Sequence, residues 1–272
     1  MGGRTESIIP QAPTGAARKR DYTFPDPNVN SNGGVSNGLR DRAGMSNTAG
    51  GGQSTGTSGA LAMGVVNGVT CLRMTNGVNI GGGPVITLDA ARMRVNLTSP
   101  ISFFTTATDD YGAFRYYAIM RVTGNPGNAN GNGIQLINGP NISADLFTSI
   151  PGFAINYDTA GTMSFVVRDN TGAFTSTVIS PAGFVNTAFH MAEFRIIGAQ
   201  ANVNAVVKVL LDGQLRTTFA YPGPGGNGPT PSGAGGNVNN GFGPSIHCNA
   251  QNFELDVAVA RVQMAPSEAD LF

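Results

Sequence analysis

The sequence predicts an all-β chain: an antiparallel β-sandwich of jelly-roll type behind an extended N-terminal arm. Three observations lead there. Gly (39) and Pro (16) together make a fifth of the 272 residues, and inside a helix they cost about 1 and about 3 kcal/mol relative to Ala. Short apolar–polar alternations recur from residue 60 onward, bounded by Gly, Asn, Asp and Pro. Hydrophobic residues reach 40% while charged residues stay at 12%, which excludes a chain disordered throughout. The 16 basic and 16 acidic residues cancel, so a strongly basic nucleic-acid binder is excluded as well.

The elements follow in order. Residues 1–59 hold the basic cluster Arg18-Lys19-Arg20, then Tyr22-Thr23-Phe24-Pro25-Asp26-Pro27, then a stretch dominated by Asn, Gly, Ser and Thr. No hydrophobic period runs through this block, so it cannot close a core of its own and reads as an arm. Residues 60–272 read as one domain. Val69–Met74 and Val85–Leu88 are its first strands, and Phe114–Val122 is the longest early one. Gly133–Ile137, Phe153–Tyr157, Thr162–Arg168 and Phe174–Ile179 follow, with Asp169–Gly172 as the turn between the last two. Phe189–Ile197 and Ala205–Leu211 are strong strands, and Asp212-Gly213 turns the latter into Leu215–Phe219. Residues 221–245 read as a long Gly/Pro/Asn loop. Phe253–Val262 is the last strand, with Phe253, Leu255, Val257 and Val259 on one face, and a helical turn at Pro266–Leu271 closes the chain.

The arrangement Gly152–Tyr157, Gly161–Asp169, Phe189–Ile196, Val207–Leu215 and Leu255–Val262 resembles the concanavalin A-like, laminin G-like jelly roll over about residues 61–272. Leu211-Asp212-Gly213 matches that family's strand ending in Asp-Gly. His190 matches its Trp-His strand with Phe189 in place of Trp, and Met264–Phe272 is similar to its closing helix. The resemblance implies the fold, and carbohydrate binding as the commonest non-enzymatic role.

Catalytic chemistry finds little support in the residues. Glu254-Leu255-Asp256 places two carboxylates on one strand face, as glucanases of this superfold do, but Ala258 or Val259 stands where a third acid is needed. His190 and His247 are the only histidines, with no Ser-His-Asp or metal-ligand spacing around them, and His190 reads as a satisfied half-buried side chain. Asp109-Asp110 offers at most a weak calcium site. Gly81-Gly82-Gly83-Pro84 lacks the Lys-Ser/Thr of a phosphate cradle and reads as a turn. No enzyme activity and no cofactor are expected. Tyr111, Tyr116, Tyr117, Tyr157 and Tyr221 are the tyrosines available to stack on a sugar in a chain without Trp.

Cys71 and Cys248 read as two buried thiols, with a single bridge as the alternative. Fourteen Arg against Lys19 and Lys208 suggest bidentate or stacked Arg contacts at interfaces. The N-terminus has no apolar signal segment, and no run of 18 apolar residues suits a bilayer, so no membrane partner is expected.

The functional expectation is therefore structural, by analogy with phage and viral virion proteins. The chain reads as a capsid decoration or cementing protein, located in the virion and assembled in the host cytoplasm. It would be anchored to capsid or other virion subunits, or to further copies of itself, through Arg18, Lys19, Arg20, Tyr22, Phe24, Pro25 and Pro27. The alternatives are a lectin-like adhesion module or tail-fibre component that meets surface glycans and, behind them, a glycoside hydrolase.

Overall fold

The computed structural model describes residues 20–24, 36–41, 46–52, 60–76, 85–87, 101–102, 110–123, 132–138, 151–157, 161–169, 171–198, 205–221, 242–248 and 253–272. In chain order the strands are β1 (Arg20–Phe24), β2 (Ser36–Asp41), β3 (Ser46–Gly52), β4 (Ala60–Val66), β5 (Val69–Asn76), β6 (Val85–Thr87), β7 (Ile101–Ser102), β8 (Asp110–Tyr111) and β9 (Ala113–Thr123). They continue with β10 (Asn132–Asn138), β11 (Gly152–Tyr157), β12 (Met163–Arg168), β13 (Phe174–Val178), β14 (His190–Ile197), β15 (Val206–Leu211), β16 (Gln214–Ala220), β17 (Phe242–Cys248) and β18 (Phe253–Ala265). A 3-10 turn at Ala269–Leu271 ends the chain.

Two antiparallel sheets face each other. One runs β13-β12-β11-β10-β17-β6, and the other runs β18-β9-β14-β15-β16. On the open side of β18, β5 pairs with Phe253–Val257 and β1 with Ala260–Met264, while β4 adds beyond β5. Strands β2 and β3 join β1 to β6, so the hydrogen-bonded path passes from one layer to the other. The segment 1–59, read from composition as an arm, thus supplies three strands to this path.

The strand alternation explains the core. On β9 the residues Phe114, Tyr116, Ala118, Met120 and Val122 point inward, and Ala192, Phe194 and Ile196 of β14 stand beside them. Opposite lie Ile134 and Leu136 of β10, Phe153, Ile155 and Tyr157 of β11, and Met163, Phe165 and Val167 of β12. Phe165 meets Phe194 edge-on at 6.3 Å across the layers, and Phe153 meets Phe219 at 5.5 Å, geometries that suit the ring quadrupole. Two tyrosine hydroxyls stitch the sheets together. Tyr116 donates to the Ser245 carbonyl at 2.6 Å, and Tyr157 to the Met120 carbonyl at 3.1 Å.

Three details depart from the alternation read in the sequence. A bulge between Val257 and Val259 inserts an extra residue into β18, so Ala260 and Val262 enter the core and Val259 does not. Strand β17 begins at Phe242, inside the stretch whose Gly243 and Pro244 made it read as loop. Its pairing with β6 covers only Ser245–His247 and stops one residue short of Pro244. Finally, β4 and β5 form a hairpin across Asn67-Gly68. At the expected Asp212-Gly213 turn both residues have positive φ, 54° and 76°, the backbone that a two-residue hairpin of matching twist requires.

Candidate functional site

Side chains on the non-core faces of the two sheets differ in kind. On the β5-β18-β9-β14-β15 sheet the outward positions are charged and mutually satisfied. Asp256 is fully buried and accepts from Arg73 Nε at 2.8 Å and Arg121 Nε at 2.9 Å. Burial pushes its carboxyl pKa up, but the hydrogen bonds and charges of the two guanidinium groups outweigh this and hold it below the ordinary value. The same contact raises the Arg73 pKa. Thr123 donates to Glu254 at 2.7 Å. Further along, Arg115 grips buried Glu193 through Nε at 2.7 Å and Nη2 at 3.2 Å, and Arg195 reaches the same carboxylate. The Phe272 ring lies over both guanidinium groups, at 4.8 and 4.6 Å. Lys208 is tied to Glu268 at 2.6 Å. These cations pair with carboxylates of their own chain, whereas the surplus of Arg over Lys suggested contacts at interfaces.

Glu254 and Asp256 therefore do share a strand face. A carboxylate clamped by two guanidinium groups stays ionised, and so Asp256 cannot deliver a proton to a leaving group.

The outward face of the other sheet mixes uncharged polar side chains with apolar ones such as Val166 and Ala154, and carries the Arg168 guanidinium beside Phe174 at its margin. Its cross-strand register lays side chains in rows. One row runs Ser176, Val166, Ala154, Gln135, Ser245; the next runs Val178, Ser164, Asn156, Gly133, His247. Gln135, Asn156, Ser164, Ser245 and His247 are each at most 3% exposed. Ser245 Oγ and His247 Nε2 are hydrogen-bonded at 2.8 Å. Asn156 Oδ1 accepts from the Asn132 amide at 2.6 Å. Among the described residues His247 Nδ1 has no hydrogen-bond partner, and burial pushes the imidazole pKa down to about 3, so the ring is neutral at physiological pH.

Between His247 and Asn156 stands Gly133, with φ +142°. A Cβ there would lie 2.2 Å from the Ile155 carbonyl oxygen, so the position has to be glycine. Its missing side chain leaves the His247 and Asn156 side chains with none between them in the row. A Ser–His pair invites comparison with acyl-transfer enzymes, but among the described residues no carboxylate orients His247 through Nδ1.

This face opens at its margin. All five residues of β13 are exposed, and Phe174 is 47% exposed with the Arg168 guanidinium 4.7 Å from its ring centroid. The sugar-stacking tyrosines considered from sequence lie elsewhere. Tyr116, Tyr157 and Tyr221 are buried, and Tyr117 is also buried, beneath Arg115. The Tyr111 side chain is outside the described residues. Phe174 is the exposed aromatic beside the polar face, and sequence reasoning missed it.

Of the proposed anchoring residues, Arg20, Tyr22 and Phe24 fall on β1, paired in register with Met264, Val262 and Ala260 of the same chain. Arg18, Lys19, Pro25 and Pro27 lie outside the described residues. Asp109 also lies outside them, and Asp110 starts β8. Among the described residues no three His, Cys, Asp or Glu side chains converge as a metal site would need. Cys71 and Cys248 are buried thiols that are not bridged to each other. His190 is held from both sides, with Nδ1 2.8 Å from Asp212 Oδ2 and Nε2 2.9 Å from the Val185 carbonyl. Its ring stacks on Phe184 with centroids 4.2 Å apart.

With this geometry established, the molecule has the concanavalin A-like, lectin-like jelly-roll sandwich fold. It resembles endo-1,3-beta-glucanase from Streptomyces sioyaensis with a TM-score of 0.50 at 12% identity, over 90% of this chain and 89% of that one. Peanut lectin aligns over 92% of this chain and 98% of its own, with a TM-score of 0.44 at 12% identity. A carbohydrate esterase from Shiga toxin-encoding bacteriophage phi24B aligns over 77% and 88%, with a TM-score of 0.47 at 14% identity. No family model and no curated protein sequence matches the chain.

Proposed function

We propose that this chain is a non-catalytic carbohydrate-binding module whose ligand is held on the outward face of the β13-β12-β11-β10-β17 sheet. The observation that carries the reading is the pair of uncharged polar rows on that face: Gln135 and Ser245 in one, Asn156, Ser164 and His247 in the other. In these two rows amides, hydroxyls and a neutral imidazole offer donors and acceptors without fixed charge, with the Arg168 guanidinium one row away beside Phe174; such groups suit the hydroxyls of a glycan. Phe174 at the open margin supplies an apolar ring for a sugar face. Contact is made first at the exposed margin, at Phe174 and Ser176, beside the buried inner rows. Similarity to a glucanase fold supports the architecture alone.

The virion-decoration reading rests on residues 1–59 and 221–245, most of which lie outside the described residues, so glycan binding takes precedence. Screening the full chain against an array of neutral and acidic glycans tests the proposal. Neutral glycans should be retained, EDTA should not release them, and the bound sugar should be recovered intact. Gln135→Ala combined with Asn156→Ala should weaken retention about tenfold or more, the loss of about 1.4 kcal/mol. Retention unchanged in that variant would move the site elsewhere, and cleavage of the sugar would refute the non-catalytic part.

A further inference from the structure

Strand β13 ends its sheet with Phe174, Thr175, Ser176, Thr177 and Val178 all exposed. Its register against β12 runs without interruption from Phe174↔Arg168 to Val178↔Ser164. The hydrogen bonds at its ends show which way its backbone points. Ile179 N donates to the Met163 carbonyl at 2.8 Å, and Asp169 N donates to the Ala173 carbonyl at 3.0 Å. Backbone groups alternate sides along an antiparallel ladder, so residues 173, 175, 177 and 179 face β12. Phe174, Ser176 and Val178 then direct their N–H and C=O groups to the open side.

Folded proteins blunt such an edge with charge, Pro, a bulge or a covering segment. None of these is present on β13: it has no ionisable side chain and no Pro, its ladder has no bulge, and it is uncovered. The edge at the other end of the path, β16, differs on two counts. It carries Arg216, and its pairing with β15 shifts register between Val209 and Leu210.

We propose that β13 is a self-association edge, which pairs antiparallel with β13 of a second copy about a two-fold axis through Ser176. The segment Phe-Thr-Ser-Thr-Val is self-complementary about its centre. The axis sets Ser176 against its own copy, Thr175 against Thr177, and Phe174 against Val178. Thr–Thr and aromatic–β-branched pairs are favourable cross-strand neighbours. The same axis brings the open-side backbone groups into step: Ser176 exchanges both bonds with Ser176 of the second copy, and Phe174 with Val178. A ligand strand of other sequence would use these backbone groups but would not match the symmetry, which is why a second copy is the occupant assigned. A ladder this short buries a small area, so association is weak and concentration-dependent. It extends the polar face of one copy into that of the next.

Sedimentation velocity on the full chain at rising concentration tests the proposal, with the mass expected to climb toward that of a dimer. Ser176→Glu sets like charges opposite each other on the axis and should weaken association about fivefold. Ser176→Cys supplies a positive readout, because residues in a hydrogen-bonded pair have Cα atoms about 5.5 Å apart, within disulfide reach. Under mild oxidation it should form a covalent dimer about tenfold faster than Val185→Cys, a position that is 57% exposed in a loop. Cys71 and Cys248 are buried and do not compete. A chain that stays monomeric at every concentration would overturn the proposal. So would self-association indifferent to Ser176→Glu, or equal cross-linking of the two cysteine variants. None of these readouts involves a glycan, so they are independent of the proposed binding role.

Discussion

His247 is fully buried, with one ring nitrogen bonded to Ser245 and the other without a partner among the described residues. It folds as the neutral base, whereas in the unfolded chain it titrates near pH 6.5. Below that pH the unfolded state takes up a proton that the folded state, with its pKa near 3, refuses. Stability is therefore whole above about pH 6.5 and falls by about 1.4 kcal/mol per pH unit below it. Denaturant unfolding at pH 7 and pH 5 should show this loss, and His247→Gln should abolish most of the difference.

Asp256 acts in a lower window. Its folded pKa lies below the ordinary value, so its contribution is present above the unfolded pKa of about 3.9 and is lost as pH falls through the folded one. Asp256→Ala would leave Arg73 and Arg121 without their shared carboxylate, and should cost about 3 kcal/mol in unfolding free energy at neutral pH. Neither role was visible in the sequence. His247 stood beside a stretch that looked like loop, and Asp256 read only as a polar position on the last strand, because its two cations lie 183 and 135 residues away.

At the scale of elements, the strands from β9 to β16 were legible because their alternation is local and each hairpin carries its own turn residues. Strand β17 was not, because Gly243 and Pro244 are breakers by composition and are tolerated only where pairing with β6 has not yet begun. Alternation along β18 was read correctly as far as Val257, where the bulge changes its phase. Strands β1, β2 and β3 were hidden for a different reason. They have no hydrophobic period of their own, and the outer two are held by distant strands, β1 by β18 and β3 by β6. The site inherits these gaps. Three of its polar residues, Gln135, Asn156 and Ser164, lie on strands that were read correctly but whose outward faces carry no motif, and the other two lie on β17. The element account also makes a prediction at Gly133. Gly133→Ala would press a methyl group against the Ile155 carbonyl and should prevent or severely weaken pairing of β10 with β11, seen as a loss of cooperative thermal unfolding.

At the scale of the molecule, the two sheets divide the work. One turns outward a lattice of Arg, Asp and Glu that neutralises itself and braces the sandwich. The other turns outward two rows rich in uncharged hydrogen-bonding groups, with Phe174 and the Arg168 guanidinium at the rim. That division, more than the Gly-rich composition, is what points to a binding role for neutral sugars. The fold also places the edge strand β13 beside the same face, so the proposed pairing of two copies would present two binding faces side by side. Bivalency of this kind strengthens retention on a surface bearing many glycans without any new contact. The measurement that bears most directly on the central claim is isothermal titration of the full chain with glycans retained on an array, beside the Gln135→Ala/Asn156→Ala double variant. Binding by the parent chain, lost about tenfold or more in a double variant that still unfolds cooperatively, is the predicted result. No retention of any glycan by the parent chain, or equal affinity in the folded double variant, would contradict it.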